Sequence, residues 1–293
     1  MEFLKQCPVC GTEKFEPFIS GKDYFLSGED FAIVKCAQCG FRFTNPRPLA
    51  NELGRYYEST DYISHSNSRQ GVFAMAYQQV RKYTLRQKYL LISKFHKNAS
   101  ILDIGCATGQ FLNYMSEMGW KTTGIEPDTK TRTRAQDEFG LDVYGEEQLG
   151  FFEKESFDVI TMWHVLEHVA ALDDRMEQLR KLLKPEGTII VAVPNCESPD
   201  AVTYGKFWAG YDLPRHLYHF SKKDITALAG KYNFRVETVL PMKFDSYYVS
   251  LLSEKYKHGR MRFIPALWNG FWSNNKAGRN NNYSSLIYIL KTK

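Results

Sequence analysis

Four cysteines in two Cys-x-x-Cys pairs, Cys7 with Cys10 and Cys36 with Cys39, are the first residues of this chain whose types and spacing could do chemistry. Each pair sets two thiols on one tight turn, and the glycine that follows in "CPVCG" and "CAQCG" lets backbone N–H groups turn toward the sulfurs. Four soft ligands of this kind make a closed tetrahedral zinc site with no open position, which is structural and folds a small module around itself. A second stretch, "ILDIGCATGQF", carries an apolar run into Gly105, Ala107 and Gly109 and then opens a helix. Small residues there admit a ligand to the backbone, and the helix N-terminus offers unpaired N–H groups to an anionic group. Glu126 closes the next apolar run 21 residues after Gly105, where a carboxylate accepts hydrogen bonds from ribose hydroxyls. No Lys-Ser or Lys-Thr follows the turn and its spacing is not G-x-G-x-x-G, so a triphosphate loop is excluded and a nucleoside with a small carboxylate fits better than a pyrophosphate. A third stretch, "WAGYDLPRHLYHFS" from Trp208 to Ser221, packs Arg215, His216 and His219 among four aromatics. Histidine is the side chain best matched to moving a proton at neutral pH.

The elements that must position these residues follow from the rhythm of the chain. Tyr77, Val80, Tyr83, Thr84, Leu85, Tyr89, Leu90 and Ile92 recur at spacings near three and four, which predicts an amphipathic helix over residues 74–95. From Ser100, short apolar runs alternate with helical stretches: "SILDI", "KTTGIE", "LDVY", "FDVITMW", "GTIIVAVP", "RVETVLPM" and "SSLIYILK" read as strands. Helices fit near Gly109, Pro127, Leu172 and Lys222, the last with Ser221 as N-cap and Asp224 three residues on. Such alternation predicts a doubly wound, Rossmann-like seven-stranded and mostly parallel sheet with helices on both faces, preceded by a small zinc-ribbon-like module and a helical lid segment. The final run reads as an added edge strand. The domain reading is residues 1–50 for the zinc-binding module, 51–98 for the lid or connector, and 99–293 for the α/β domain.

In order, "ILDIGCATG", "GIEP", "FDVITMWHVLEHV" and "LKPEGTIIVAVPN" resemble the successive motifs of class I S-adenosylmethionine-dependent methyltransferases over about residues 100–195. The resemblance implies that Asp103, Gly105, Cys106, Ala107 and Gly109 surround the methionine part of S-adenosylmethionine, that Glu126 holds the ribose, and that Pro127 lies beside the adenine. It puts Trp163 and His164 near the sulfonium; Ala107 departs from the glycine usual in the family. The N-terminal cysteine module, "NPRP" and the tyrosines that follow are similar to the region preceding the catalytic domain in sugar methyltransferases of this group, which implies a brace for a lid containing Tyr57 and Tyr62. "Y-D…H-L-x-x-F-S" is similar to the segment in which those enzymes carry a histidine base, which implies that role for His216, with His219 supporting the loop. "HVLEH", His164 to His168, also matches the H-x-x-E-H of one zinc peptidase class, but it follows a strand and is not expected to hold metal.

Composition narrows the function. No run approaches the roughly 18 apolar residues of a membrane span, the cysteines stand where a signal peptide would need an apolar region, and six cysteines are too few for a disulfide scaffold, so a cytoplasmic protein is expected. The formal charge of +5 is uneven: Pro241 to Lys293 holds nine Lys/Arg against two acids, which favours an acidic substrate or surface, and the resemblance to sugar methyltransferases implies a small-molecule acceptor such as a sugar nucleotide or cell-envelope precursor. Arg215 or the tail would meet its phosphate or carboxylate. "RMRFIPALWNGFW" mixes cations with aromatics and would suit a membrane surface, although a crossover helix before the last strand is the preferred reading. Two alternatives are an RNA methyltransferase whose zinc module reads nucleic acid, disfavoured because residues 1–51 carry no surplus of positive charge, six Lys/Arg against six acids, and a non-catalytic cofactor-binding scaffold.

Overall fold

Three strands open the chain: β1 (Phe15–Lys22), β2 (Asp30–Cys36) and β3 (Arg42–Thr44). The computed structural model describes residues 1–57 and 72–293, with only the backbone for 72–77. A helix α1 (Val72–Ile92) leads into β4 (Ser100–Ile104), α2 (Gln110–Glu117), β5 (Lys121–Ile125), α3 (Thr129–Phe139), β6 (Val143–Tyr144), β7 (Phe157–Trp163), α4 (Leu172–Leu182) and β8 (Leu183–Pro194). Then come α5 (Pro199–Tyr204), β9 (Tyr218–His219), α6 (Lys222–Lys231), β10 (Phe234–Pro241), α7 (Asp245–His258), α8 (Phe263–Ala277) and β11 (Ser285–Thr292). The helix starts follow local chemistry: Asp128 accepts from the Thr131 N–H at 2.8 Å, and the Ser221 N–H donates to Asp224 at 2.8 Å in a capping box.

Seven strands hydrogen-bond in the order β10-β11-β8-β7-β4-β5-β6. β4 runs parallel to β5 and β7, and β5 to β6, the α/β Rossmann-like arrangement the alternation predicts. One expectation is corrected. "SSLIYILK", read as an edge strand, is β11 and lies between β8 and β10, with Leu286, Tyr288, Ile289 and Leu290 buried. A run apolar at successive positions buries both faces, which an interior strand can do and an edge strand cannot do fully.

By internal packing the described residues form two units. One takes in the described parts of Met1–Glu58 with His164–Arg175 and Val191–Leu290; the other takes in those of Ser59–Trp163 with Met176–Ile190 and Lys291–Lys293. In the first, β1, β2, β3 and β9 make an antiparallel four-stranded sheet, with Phe15 opposite Cys36, Arg42 opposite His219 and Phe43 opposite Tyr218. Its core gathers Phe31, Ile33, Tyr56, Trp208, Tyr211 and Leu213. Each such side chain contributes about 1.5–3 kcal/mol by leaving water. In the second unit, Ile101, Leu102 and Ile104 of β4 and Val159, Ile160 and Met162 of β7 are buried, as parallel strands covered on both faces must be.

The helix before β4 differs from its apolar pattern. Val80, Tyr83 and Leu90 are exposed, while Thr84, Leu85, Lys88 and Tyr89 are partly buried and Ile92 fully so. The reason is a cation: Lys88 Nζ lies 4.0 Å from the Trp163 ring centroid and 5.4 Å from that of Phe111, so a polar position faces inward. Among the described residues no helix is long and apolar enough to cross a membrane.

Candidate functional site

In the second unit the turn after β4 is built on left-handed backbone. Gly105 and Gly109 both have φ of +75°, and a Cβ on Gly109 would come within 2.6 Å of Leu141 Cδ1. Only glycine fits there. Ala107 also sits left-handed, at φ +48°, where an L side chain is strained by about 1–2 kcal/mol. This explains why glycine suits the position better without excluding alanine. The Ala107 N–H donates to Glu126 Oε2 at 3.0 Å and the Asp128 N–H to Oε1 at 2.9 Å, so the carboxylate at the end of β5 is held against the turn with lone pairs to spare. Burial raises the Glu126 pKa against these hydrogen bonds. Asp103 is buried and accepts from the Thr161 hydroxyl at 2.6 Å; desolvation raises its pKa to about 7. Cys106 is also buried, and its thiol is pushed up for the same reason. Pro127 follows Glu126 directly, with its carbonyl and that of Glu126 both accepting from Arg132 Nη1. Trp163 stacks edge-on with Phe111 at 5.9 Å, and its indole N–H is buried without a hydrogen-bond partner.

His164 begins the other unit's share of the fourth-strand motif at a bend with φ of +57°, and Glu167 and His168 follow on a turn of 3₁₀ helix, Leu166–His168, rather than the long helix a zinc peptidase needs. His164 Nε2 is 3.0 Å from Asp245 and its Nδ1 3.3 Å from Glu167. Burial would lower its pKa, but the two carboxylates push it up to about 10. A histidine whose folded pKa exceeds the ordinary 6.5 contributes stability that is whole below about pH 6.5 and is lost as pH climbs toward 10. We therefore expect an Asp245→Asn variant to show a smaller fall in denaturation midpoint over that window than the parent chain; equal falls would mean the ion pair adds nothing.

His216 sits in the same unit, buried, with Nδ1 2.9 Å from the Gly210 carbonyl. A carbonyl only accepts, so Nδ1 carries the proton and Nε2 keeps a free lone pair. His168 is arranged alike, Nδ1 lying 3.0 Å from the Arg215 carbonyl and 2.8 Å from the Tyr57 hydroxyl; burial and the neighbouring His216 lower its pKa to about 4. The two rings meet edge to face at 4.6 Å, and ligand atoms of Glu167, His168 and His216 lie within 4.8 Å of one another. Asp212 Oδ2 is 3.9 Å from His216 Nε2, and although burial opposes it, the Arg215 guanidinium holds Asp212 below the usual carboxylate range. With Nδ1 committed to a carbonyl, the His216 Nε2 is the ring atom that faces Asp212 and lies near Glu167.

Arg215 corrects an expectation. It is buried, and its guanidinium donates to Asp23, Asp212 and the Tyr56 carbonyl, leaving nothing for a substrate phosphate. His219 stands in β9 with Nε2 3.2 Å from Thr44, a position that supports the sheet. Tyr62 and the rest of the lid segment to Ser66 lie outside the described residues. Glu167, Asp212 and Asp245 were given no role by the sequence: Glu167 and Asp212 lay inside the "HVLEH" and "Y-D…H-L-x-x-F-S" matches, and Asp245 meets His164 only through the fold.

The four N-terminal cysteines converge. Cys7 and Cys39 sulfurs are 3.7 Å apart and those of Cys10 and Cys36 3.5 Å, with all four within 4.8 Å. A tetrahedron of sulfurs about 2.3 Å from a central zinc has edges of roughly 3.8 Å, so the cluster fits such an ion. Gly11 and Gly40, at φ +76° and +80°, close the two knuckles, and the Cys39 N–H points to Cys36 Sγ at 3.3 Å.

A sequence profile of the family described as Methyltransferase domain matches residues 77–239. The curated ubiquinone biosynthesis O-methyltransferase of Maricaulis maris (strain MCS10) is 34% identical over 131 residues, 42% of this chain and 52% of that protein. The chain spans about half to three fifths of the length of the curated relatives it matches. Among solved structures, magnesium protoporphyrin IX methyltransferase from Synechocystis PCC 6803 with bound SAH gives a TM-score of 0.53 at 14% identity, covering 82% of this chain and 97% of that one. The cyclase SpnF gives 0.55 at 16%, covering 84% and 98%. At these identities the likeness is one of fold, and a fold leaves the chemistry to the site.

Proposed function

This chain belongs to the methyltransferase domain family, and from that premise we propose that it transfers the methyl group of S-adenosylmethionine to an oxygen of a small acidic acceptor, a sugar nucleotide or related cell-envelope precursor. The observation that carries the reading is the Glu126 carboxylate, desolvated and pinned by two backbone N–H groups against the left-handed turn at Gly105, Ala107 and Gly109. A vicinal diol meets such a carboxylate with two donors. Trp163 and Phe111 fit the other end of the cofactor: their faces already hold the Lys88 ammonium, and a sulfonium is a cation of the same sign. Bound, S-adenosylmethionine supplies an activated methyl group on a good leaving group. Asp103, Gly105, Cys106, Ala107, Gly109, Glu126, Pro127 and Trp163 are assigned to holding it.

His216 Nε2 takes the acceptor's hydroxyl proton, and Asp212 and Glu167 stabilise the imidazolium that results. The relatives' O-methyltransferase name supports oxygen as the accepting atom. The four cysteines hold one structural zinc ion and take no part in transfer.

Equilibrium titration with S-adenosylmethionine tests the central assignment. Glu126→Ala removes charge-assisted hydrogen bonds to a diol and is expected to weaken binding about 10- to 100-fold. An unchanged Kd would remove Glu126 from the site. The acceptor is then sought by release of S-adenosylhomocysteine over parallel panels of sugar nucleotides and dihydroxybenzenes, and turnover confined to the second panel would discard the sugar acceptor.

A further inference from the structure

Helix α8 turns its small side chains inward and its large ones outward. Ala266, Gly270, Ser273 and Ala277 are buried at helical spacing, and a Cβ on Gly270 would stand 2.7 Å from Tyr247 on α7. The two helices therefore approach as closely as backbone allows. On the other side Phe263, Ile264, Leu267, Trp268, Phe271 and Trp272 recur in pairs one turn apart and stay exposed, Ile264 at 83% and Trp268 at 61%. Single apolar residues on a surface are ordinary, but a continuous stripe of six marks a binding face.

The charge around the stripe indicates what covers it. From Lys255 to Lys293 the chain holds eight Lys/Arg and no Asp or Glu. Lys257 and Arg260 stand exposed before the helix, and Lys276 and Arg279 at and beyond its last turn. A second copy of this chain would bring the same positive rim to a two-fold contact, where like charges repel. Anionic phospholipid meets both features at once: its phosphates pair with the rim and its acyl boundary receives the aromatics. At 15 residues α8 falls short of the roughly 20 that span a bilayer, so it would lie in the plane of the surface. Beside Trp272, a cavity of about 250 Å³ lined by Pro199, Thr203, Asn269, Ser273 and Lys276 has room for a headgroup phosphate.

We propose that the outward face of α8 docks this protein on an anionic lipid surface. Docking is independent of methyl transfer, so its test reads lipid binding alone. The full chain is sedimented with vesicles of phosphatidylcholine and with vesicles in which about one third is replaced by phosphatidylglycerol. Binding is expected only to the anionic vesicles, with a blue shift of tryptophan emission and with loss at high salt. Two variants are measured beside it, Ile264→Ser with Trp268→Ser, and Lys257→Gln with Arg260→Gln and Lys276→Gln. All five positions are exposed, so both variants are expected to fold, and each is expected to bind about tenfold more weakly or worse. The proposal is overturned if the anionic vesicles are not bound, if both kinds of vesicle are bound alike, or by binding that neither variant weakens. It is equally overturned by a dimer in light scattering that the Ile264/Trp268 variant dissolves, which would make the face a self-association surface.

Discussion

Replacing His216 with alanine is expected to lower kcat by about 10²- to 10⁴-fold, the usual worth of a positioned general base, while the Kd for S-adenosylmethionine stays within a factor of about two. The split follows from the geometry. His216 touches Gly210, His168 and Asp212, whereas Glu126 and the glycine turn belong to the other unit and are held by their own backbone hydrogen bonds, which its loss does not remove. Its Nδ1 proton is committed to a backbone carbonyl, and Nε2 is the atom that works. Glutamine can present an amide near the same place but cannot take up a proton, so His216→Gln should fall as far as alanine. A merely structural histidine would behave otherwise: the glutamine variant would recover turnover, and the pH profile of kcat would keep its acid limb. Measured pH profiles of the parent and both variants separate the two cases, and an alanine variant at full kcat would dismiss the base.

Stripping zinc is expected to have the second large effect. Structural zinc on four thiolates carries on the order of 10 kcal/mol of apparent binding energy, which becomes folding energy of the segment it closes. Cys36 is the last residue of β2, and its knuckle turns the chain into β3, which in turn pairs with Tyr218 and His219. That pairing anchors the loop carrying His216. Chelation, or Cys36→Ser with Cys39→Ser, should therefore lower the melting temperature and depress kcat together, with S-adenosylmethionine affinity kept. Elemental analysis is expected to find one zinc per chain. A metal-free preparation with unaltered melting and turnover would show that the cysteines need no ion.

These two expectations differ in how much of their basis the sequence carries. The cysteine spacing, the glycine turn and Glu126 were all legible because their chemistry is local: a knuckle, a tight turn and a strand end are each specified by residues within a few positions, and the turn and Glu126 then follow neighbouring parallel strands, β4 and β5. His216 could be singled out as a histidine in an aromatic loop, but not the state of its ring. That depends on a carbonyl six residues away being turned toward it, on Asp212 four residues back, and on Glu167 brought from another segment.

By itself the sequence determined the alternation that makes a Rossmann-like sheet, the strand and helix starts set by caps and apolar runs, and the residue types of both candidate sites. Only tertiary structure decided that β11 lies inside the sheet, that Tyr218 and His219 leave their loop to extend the N-terminal sheet, that Arg215 spends its guanidinium on Asp23 from 192 positions earlier, and that α8 faces its aromatics outward. The physical reason is common to all four. Propensity, capping and periodicity act over a turn or two of chain, whereas partner choice, burial of a charge and the facing of a helix are settled by contacts between segments far apart in sequence, whose loop-closure entropy must first be overcome by packing.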